Sequence, residues 1–131
     1  FKSFIQGLDV VVESGSLGDL LSVAFADILD ADQENHPWFI YCPRPDVDWR
    51  STEDLWRERG YCTEYLSTVP TRYRKPLGDF ERQDMLRITR SMGKLDEEVM
   101  CHDYLLVNLT LARHVRDADA LPIEQLQDQY D

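Results

Sequence analysis

Short apolar blocks punctuate this chain, and the spacing of apolar residues between them alternates between strand-like and helix-like. Asp9-Val10-Val11-Val12-Glu13 is a β-branched run bounded by Gly7 and Ser14-Gly15-Ser16, which predicts a short buried strand. Leu17, Leu20, Leu21, Ala24, Phe25, Ile28 and Leu29 then recur at intervals of three and four, the stripe of an amphipathic helix with Ser16 as its N-cap. Trp38 to Cys42 is a second apolar run, closed by Pro43 and Pro45. A short helix is expected from Thr52 to Arg59, stopped by Gly60, and a third, less apolar strand from Tyr61 to Val69. The strongest second helix spans Asp79 to Lys94, with Met85, Ile88, Met92 and Leu95 as its core stripe. A fourth strand is centred on Tyr104-Leu105-Leu106-Val107, and a last helical stretch lies within Thr110 to Tyr130.

Strand, helix and strand with continuous apolar runs suggest a βαβ unit. The order predicts one α/β domain over 1–131: a three-layer, four-stranded parallel sheet with helices on both faces and right-handed crossovers. Residues 43–60 form a loop-helix insert, and about 125–131 a frayed tail.

Composition narrows the setting. No apolar run approaches the roughly 20 residues that span a bilayer, so no membrane contact is expected. Cys42, Cys62 and Cys101 are odd in number and without a CxxC, which points to buried thiols in a reducing, intracellular or cytoplasmic setting. The formal charge of −11 opposes general nucleic-acid affinity. Its distribution is uneven: between Arg72 and Lys94 seven basic residues face three acids, leaving that window +4 and the remainder −15. Arg72, Arg74, Lys75, Arg87, Arg90 and Lys94 therefore form a candidate contact for RNA phosphates or an acidic partner.

Three segments resemble a BRCT domain, a small interaction module: Val10 to Gly15, Phe80-Glu81-Arg82 through Met92-Gly93-Lys94, and His102 to Val107 followed by Ala118 to Ile123. In phosphopeptide-binding members, a Ser-Gly pair and a Thr-x-Lys at the start of helix two hold the phosphate. Ser14 and Gly15 match the pair, whereas Gln83 and Met85 stand at the other two positions, so the lysine is missing. The tryptophans also fall at Trp38, Trp49 and Trp56 rather than in the last helix. Size and fold together, a BRCT-like, acidic, compact domain with a trailing tail, add a resemblance to the small assembly and packaging protein of cystoviruses, the segmented double-stranded RNA phages. That resemblance implies a homodimeric accessory in the virion interior that helps RNA packaging.

The candidate chemistry is sparse. Ser14, Gly15 and Ser16 lie between a strand and a helix, where backbone N–H groups favour an anion, with Arg82 or Arg87 able to assist. Asp30 to His36 begins like a calcium loop but has Asn35 and Tyr41 where glycine and glutamate are needed. Cys101-His102-Asp103, read as a strand, sends His102 to the opposite side from its neighbours. Asp46, Asp48, Glu53, Asp54 and Glu58 read as solvated acids or as an acidic groove for a basic partner. No catalytic residue, metal or cofactor is expected. Trp49, Trp56, Tyr61 and Tyr65 are the candidate exposed interface aromatics. The expected function is a non-enzymatic protein-interaction and assembly domain, homodimeric, of the viral type just named. The alternative is a small anion- or nucleotide-binding protein or enzyme using the first strand–helix turn.

Overall fold

The computed structural model describes residues 9–13, 20–31 and 33–130. Two sheets organise them. The larger contains β1 (Val10–Glu13), β2 (Trp38–Tyr41), β3 (Tyr61–Tyr65) and β7 (Thr110–His114), in the order β1-β2-β7-β3. The smaller contains β4 (Thr71–Arg72), β5 (Met100–Cys101) and β6 (Tyr104–Val107), in the order β4-β6-β5.

The mixed α/β class predicted from the pattern holds, but the sheet is not all parallel. Only β1 and β2 run parallel, with Val10 opposite Trp38; β7 is antiparallel to both β2 and β3. Thr110–His114, expected to be helical, is thus the strand between β2 and β3, and the helix follows it as α5 (Val115–Ala120) and α6 (Ile123–Tyr130). The predicted fourth strand is β6, which belongs to the smaller sheet instead.

One long antiparallel ribbon joins the two sheets. Its first strand runs through β3 and β4, its second through β6 and β7. Tyr65 faces Thr110 and Thr71 faces Val107, six steps on one strand against three on the other. The three extra residues bulge out at Ser67 to Pro70, where the Ser67 hydroxyl turns the chain by accepting the Val69 N–H at 3.2 Å.

Helices cover opposite ends of this ribbon. α1 (Leu21–Ala31) buries Leu21, Phe25 and Leu29, and α2 (Arg50–Glu58) buries Thr52, Leu55 and Trp56. Both pack on the face carrying Phe39, Tyr41, Tyr61 and Ala112. Phe25 is the hub, with ring centroids 4.6 Å from Phe39 and 5.1 Å from Trp56. Each fully buried apolar side chain of this kind stabilises the fold by roughly 1.5–3 kcal/mol. Gly60 ends α2 at φ +74°, where a Cβ would be strained and would lie 3.1 Å from His114 Nε2.

At the other end, α3 (Asp79–Ser91) and α4 (Asp96–Val99) enclose a second core of Met85, Val99 and Leu105. The α3 stripe differs from expectation. Met85 and Thr89 are buried, whereas Met92 and Leu95 are exposed because the helix has ended at Ser91 before they could face the sheet. No described helix is long and apolar enough to cross a membrane.

Candidate functional site

A cleft of about 490 Å³ opens where the two sheets meet. Its floor continues, toward Tyr65, the face of the larger sheet on which α1 and α2 pack. Tyr41, Thr110 and Tyr65 lie in register across β2, β7 and β3, so their side chains share one face of the pleat. Leu106 and Asn108 continue the lining toward β6. The loop after β2 supplies one wall, with Pro43, Pro45 and Trp49; Pro70 from the bulge and Lys94, Glu97 and Glu98 complete the rim.

Local bonding fixes this wall. Trp49 donates its indole N–H to the Arg44 carbonyl at 2.8 Å, closing the loop into a tight turn. Arg44 grips Asp46 with two bonds, 3.1 and 2.9 Å. Lys94 Nζ donates to the Pro45 carbonyl at 2.8 Å, tying the connection between α3 and α4 to the loop. The Tyr41 hydroxyl accepts from Trp56 Nε1 at 3.1 Å, and burial pushes the Tyr41 phenol up to about 12. Trp49 is half-buried and Tyr65 is 54% exposed, so aromatic surface remains open to solvent here.

Of the four interface aromatics, Trp49 and Tyr65 meet in this cleft. Trp56 and Tyr61 do not face solvent: Trp56 is 1% exposed and both belong to the core under α1 and α2. The spacing of Thr52, Leu55 and Trp56 at three and four places Trp56 on the inward face of α2.

The basic stretch is divided by its own ion pairs. Arg74 binds Glu81 at 2.7 Å, and that bond, together with the Leu77 N–H, holds the Glu81 carboxyl below its usual range. Arg82 binds Asp103 at 2.7 Å, Arg87 binds Asp84 at 2.6 Å, and Arg90 Nε binds Asp96 at 2.9 Å. Arg72 and Lys75 instead lie over the Tyr104 ring, 5.7 and 5.2 Å from its centroid. Arg82 and Arg87, the cations offered to the first strand–helix turn, are therefore each matched by a carboxylate. Ser14, Gly15 and Ser16, with the Ser16 cap, lie outside the described residues.

Other candidate chemistry resolves into structure. His102 and Asp103 have φ of 49° and 67° and form the two-residue turn between β5 and β6, not a strand. Asp46 is bound by Arg44, Asp54 by Arg57, and Asp48 by Arg50, which lowers the Asp48 carboxyl to about 2. Burial pushes the Cys42 and Cys62 thiols up, away from the thiolate. Among the described residues no cluster of three or more His, Cys, Asp or Glu could hold a metal ion.

Comparison with known proteins leaves the site to speak for itself. No family model, curated protein or solved structure matches the chain.

The residues that sequence reading missed are Tyr41, Pro43, Arg44, Pro45, Pro70 and Glu97. The prolines carried a signal, since they bracket strand ends beside the aromatic positions 41, 49 and 65. What no pattern could supply was the meeting of β2, β3 and β6 at one cleft.

Proposed function

We propose that this chain is a protein-interaction domain, binding rather than catalytic, that takes a segment of a partner protein in the cleft between its sheets. The observation that carries this reading is the solvent-facing aromatic surface of Trp49 and Tyr65, set beside three prolines in a cleft of ligand-site size, roughly 300–1,000 Å³. Amphipathic aromatics in a concave site are the usual anchors of protein contacts. The rim groups support binding over catalysis, because Arg44 and Lys94 are already held by Asp46 and the Pro45 carbonyl. An assembly role of the kind the cystovirus resemblance implies is one form of this function.

Selection from a random-peptide library tests it. Peptides retained by the wild-type chain should be lost on Tyr65→Ser, an exposed change that leaves the core intact. Ligands indifferent to Tyr65 and to Trp49→Leu would place the binding surface elsewhere.

A second reading, RNA contact, is favoured by Arg72 and Lys75 flanking the Tyr104 ring. It requires binding to single-stranded RNA that falls steeply with salt and is abolished by Arg72→Ala with Lys75→Ala.

A further inference from the structure

We infer that the occupant of the cleft is an extended, proline-bearing segment carrying an arginine or lysine; this rests on the cleft being the binding surface. The charges that line the cleft decide the sign. Arg44 is bound to Asp46, Lys94 to the Pro45 carbonyl, and Glu98 accepts the Leu95 N–H at 2.9 Å to cap α4. Glu53 on α2 and Glu97 on α4 remain, both exposed and neither hydrogen-bonded nor ion-paired among the described residues. The Pro45 carbonyl leaves the charge of Lys94 in place, so beyond the Arg44–Asp46 pair the lining sets one cation, Lys94, against the carboxylates of Glu53, Glu97 and Glu98, and the net charge at the cleft is negative. A phosphate, nucleotide or acidic segment would meet bare carboxylates there, whereas a guanidinium or ammonium would find a partner.

The apolar lining decides the backbone form. Strand addition needs free N–H and C=O groups, and those beside the cleft are engaged: Leu66 N–H pairs with the Leu109 carbonyl at 2.9 Å, and the Tyr65 carbonyl accepts from Gln127 Nε2 at 2.8 Å. What the cleft does offer is ring surface, from the half-buried Trp49, the exposed Tyr65 and the prolines. A polyproline II segment has no hydrogen bonds of its own to break, lays flat rings on aromatic surfaces and loses little entropy on binding.

Fluorescence anisotropy with a labelled nonapeptide, Pro-Pro-Leu-Pro-Pro-Leu-Pro-Arg-Arg, tests this. Saturable binding by the wild-type chain is expected, weakened about tenfold or more by Glu53→Lys with Glu97→Lys. A peptide ending in two glutamates should show the reverse preference. Both substitutions are at exposed positions, and circular dichroism of the double variant confirms that it folds. Absence of saturable binding, or equal binding by the double variant, overturns the inference. Library ligands that require Tyr65 but are acidic or lack proline would overturn it while leaving the cleft as the binding surface. Self-association lost on Tyr65→Ser, with the nonapeptide ignored, would assign the cleft to a second copy of this chain and also overturn it.

Discussion

The Trp56 indole N–H donates to the Tyr41 hydroxyl at 3.1 Å, joining the deepest side chain of α2 to the floor of the cleft. Tyr41→Phe removes the acceptor and leaves a buried indole donor without its partner. The expected cost is about 1–3 kcal/mol in urea unfolding. The same phenol sets an alkaline limit. The folded chain holds Tyr41 at about 12 and the unfolded chain at 10, so unfolding takes the phenolate first. Its contribution is full below pH 10 and is lost above it, and Tyr41→Phe should flatten that loss.

Arg113 is 0% exposed and binds Glu64 through Nε at 2.8 Å, with its guanidinium over the Trp38 ring and Nη2 buried without a partner. Glu64 reaches solvent and Arg113 does not. Removing the carboxylate strands a buried cation, so Glu64→Leu should cost about 3–5 kcal/mol. Arg113→Met removes the cation and its orphaned donor together and should cost less. Urea midpoints in the opposite order would contradict this account of the pair.

His36 and His114 stack with centroids 4.2 Å apart at the end of the larger sheet, against Tyr61. Burial first, then His114 and Arg116, lower His36 from its ordinary 6.5, with Asp117 opposing. The unfolded chain therefore takes up the proton more readily. Stability from neutral His36 is full above about pH 6.5 and falls as the pH drops below it. Urea midpoints between pH 8 and pH 5 should decline less for His36→Gln than for the wild type.

Leu77 and Phe80 are 89% and 86% exposed at the start of α3, while Met85, five residues further, is buried against Val99 and Leu105. Replacing Leu77 and Phe80 by serine should change stability by only about 0.5 kcal/mol each. Met85→Ala should cost about 2–5 kcal/mol. A large loss at Leu77 would mean that it packs in solution.

Periodicity made the helices legible. The stripe at Leu21, Phe25 and Leu29 and the three-and-four spacing around Met85 survive in the fold, as does β2; β1 forms where expected but not as a buried strand, since it lies at the sheet edge with Val10 and Val12 exposed. Thr110–His114 was not legible as a strand because Arg113 interrupts its apolar run and a helix follows directly. Arg113 becomes compatible with the centre of a sheet through Glu64, forty-nine positions away in sequence, and through the Trp38 ring. The parallel expectation failed for a related reason: an apolar run suggests burial on both faces, whereas β2 buries Phe39 and Tyr41 on one face, only half-buries Trp38 and Ile40 on the other, and has an antiparallel neighbour. In the cleft, Trp49 and Tyr65 were visible as aromatics near an irregular loop. Their partnership with Glu97 depends on how α4 is carried back past Lys94, which no local pattern specifies.

The three-residue bulge between β3 and β4 also carries an arithmetic of odd and even. Side chains alternate across a strand, so an odd excess exchanges the two faces of everything beyond it. Because of it, Arg72 sits opposite Leu106 and Thr71 opposite Val107, which is part of the buried layer. One residue more or fewer at Ser67 to Pro70 would exchange the faces on which Thr71 and Arg72 stand, both exposed here, and carry Arg72 off the Tyr104 ring; two would restore the alternation. The contact between Arg72 and Tyr104 is thus constrained by the parity of this small loop rather than by its size, and across an insertion series of one, two and three residues the contribution of Arg72 to stability should be lost, regained and lost again.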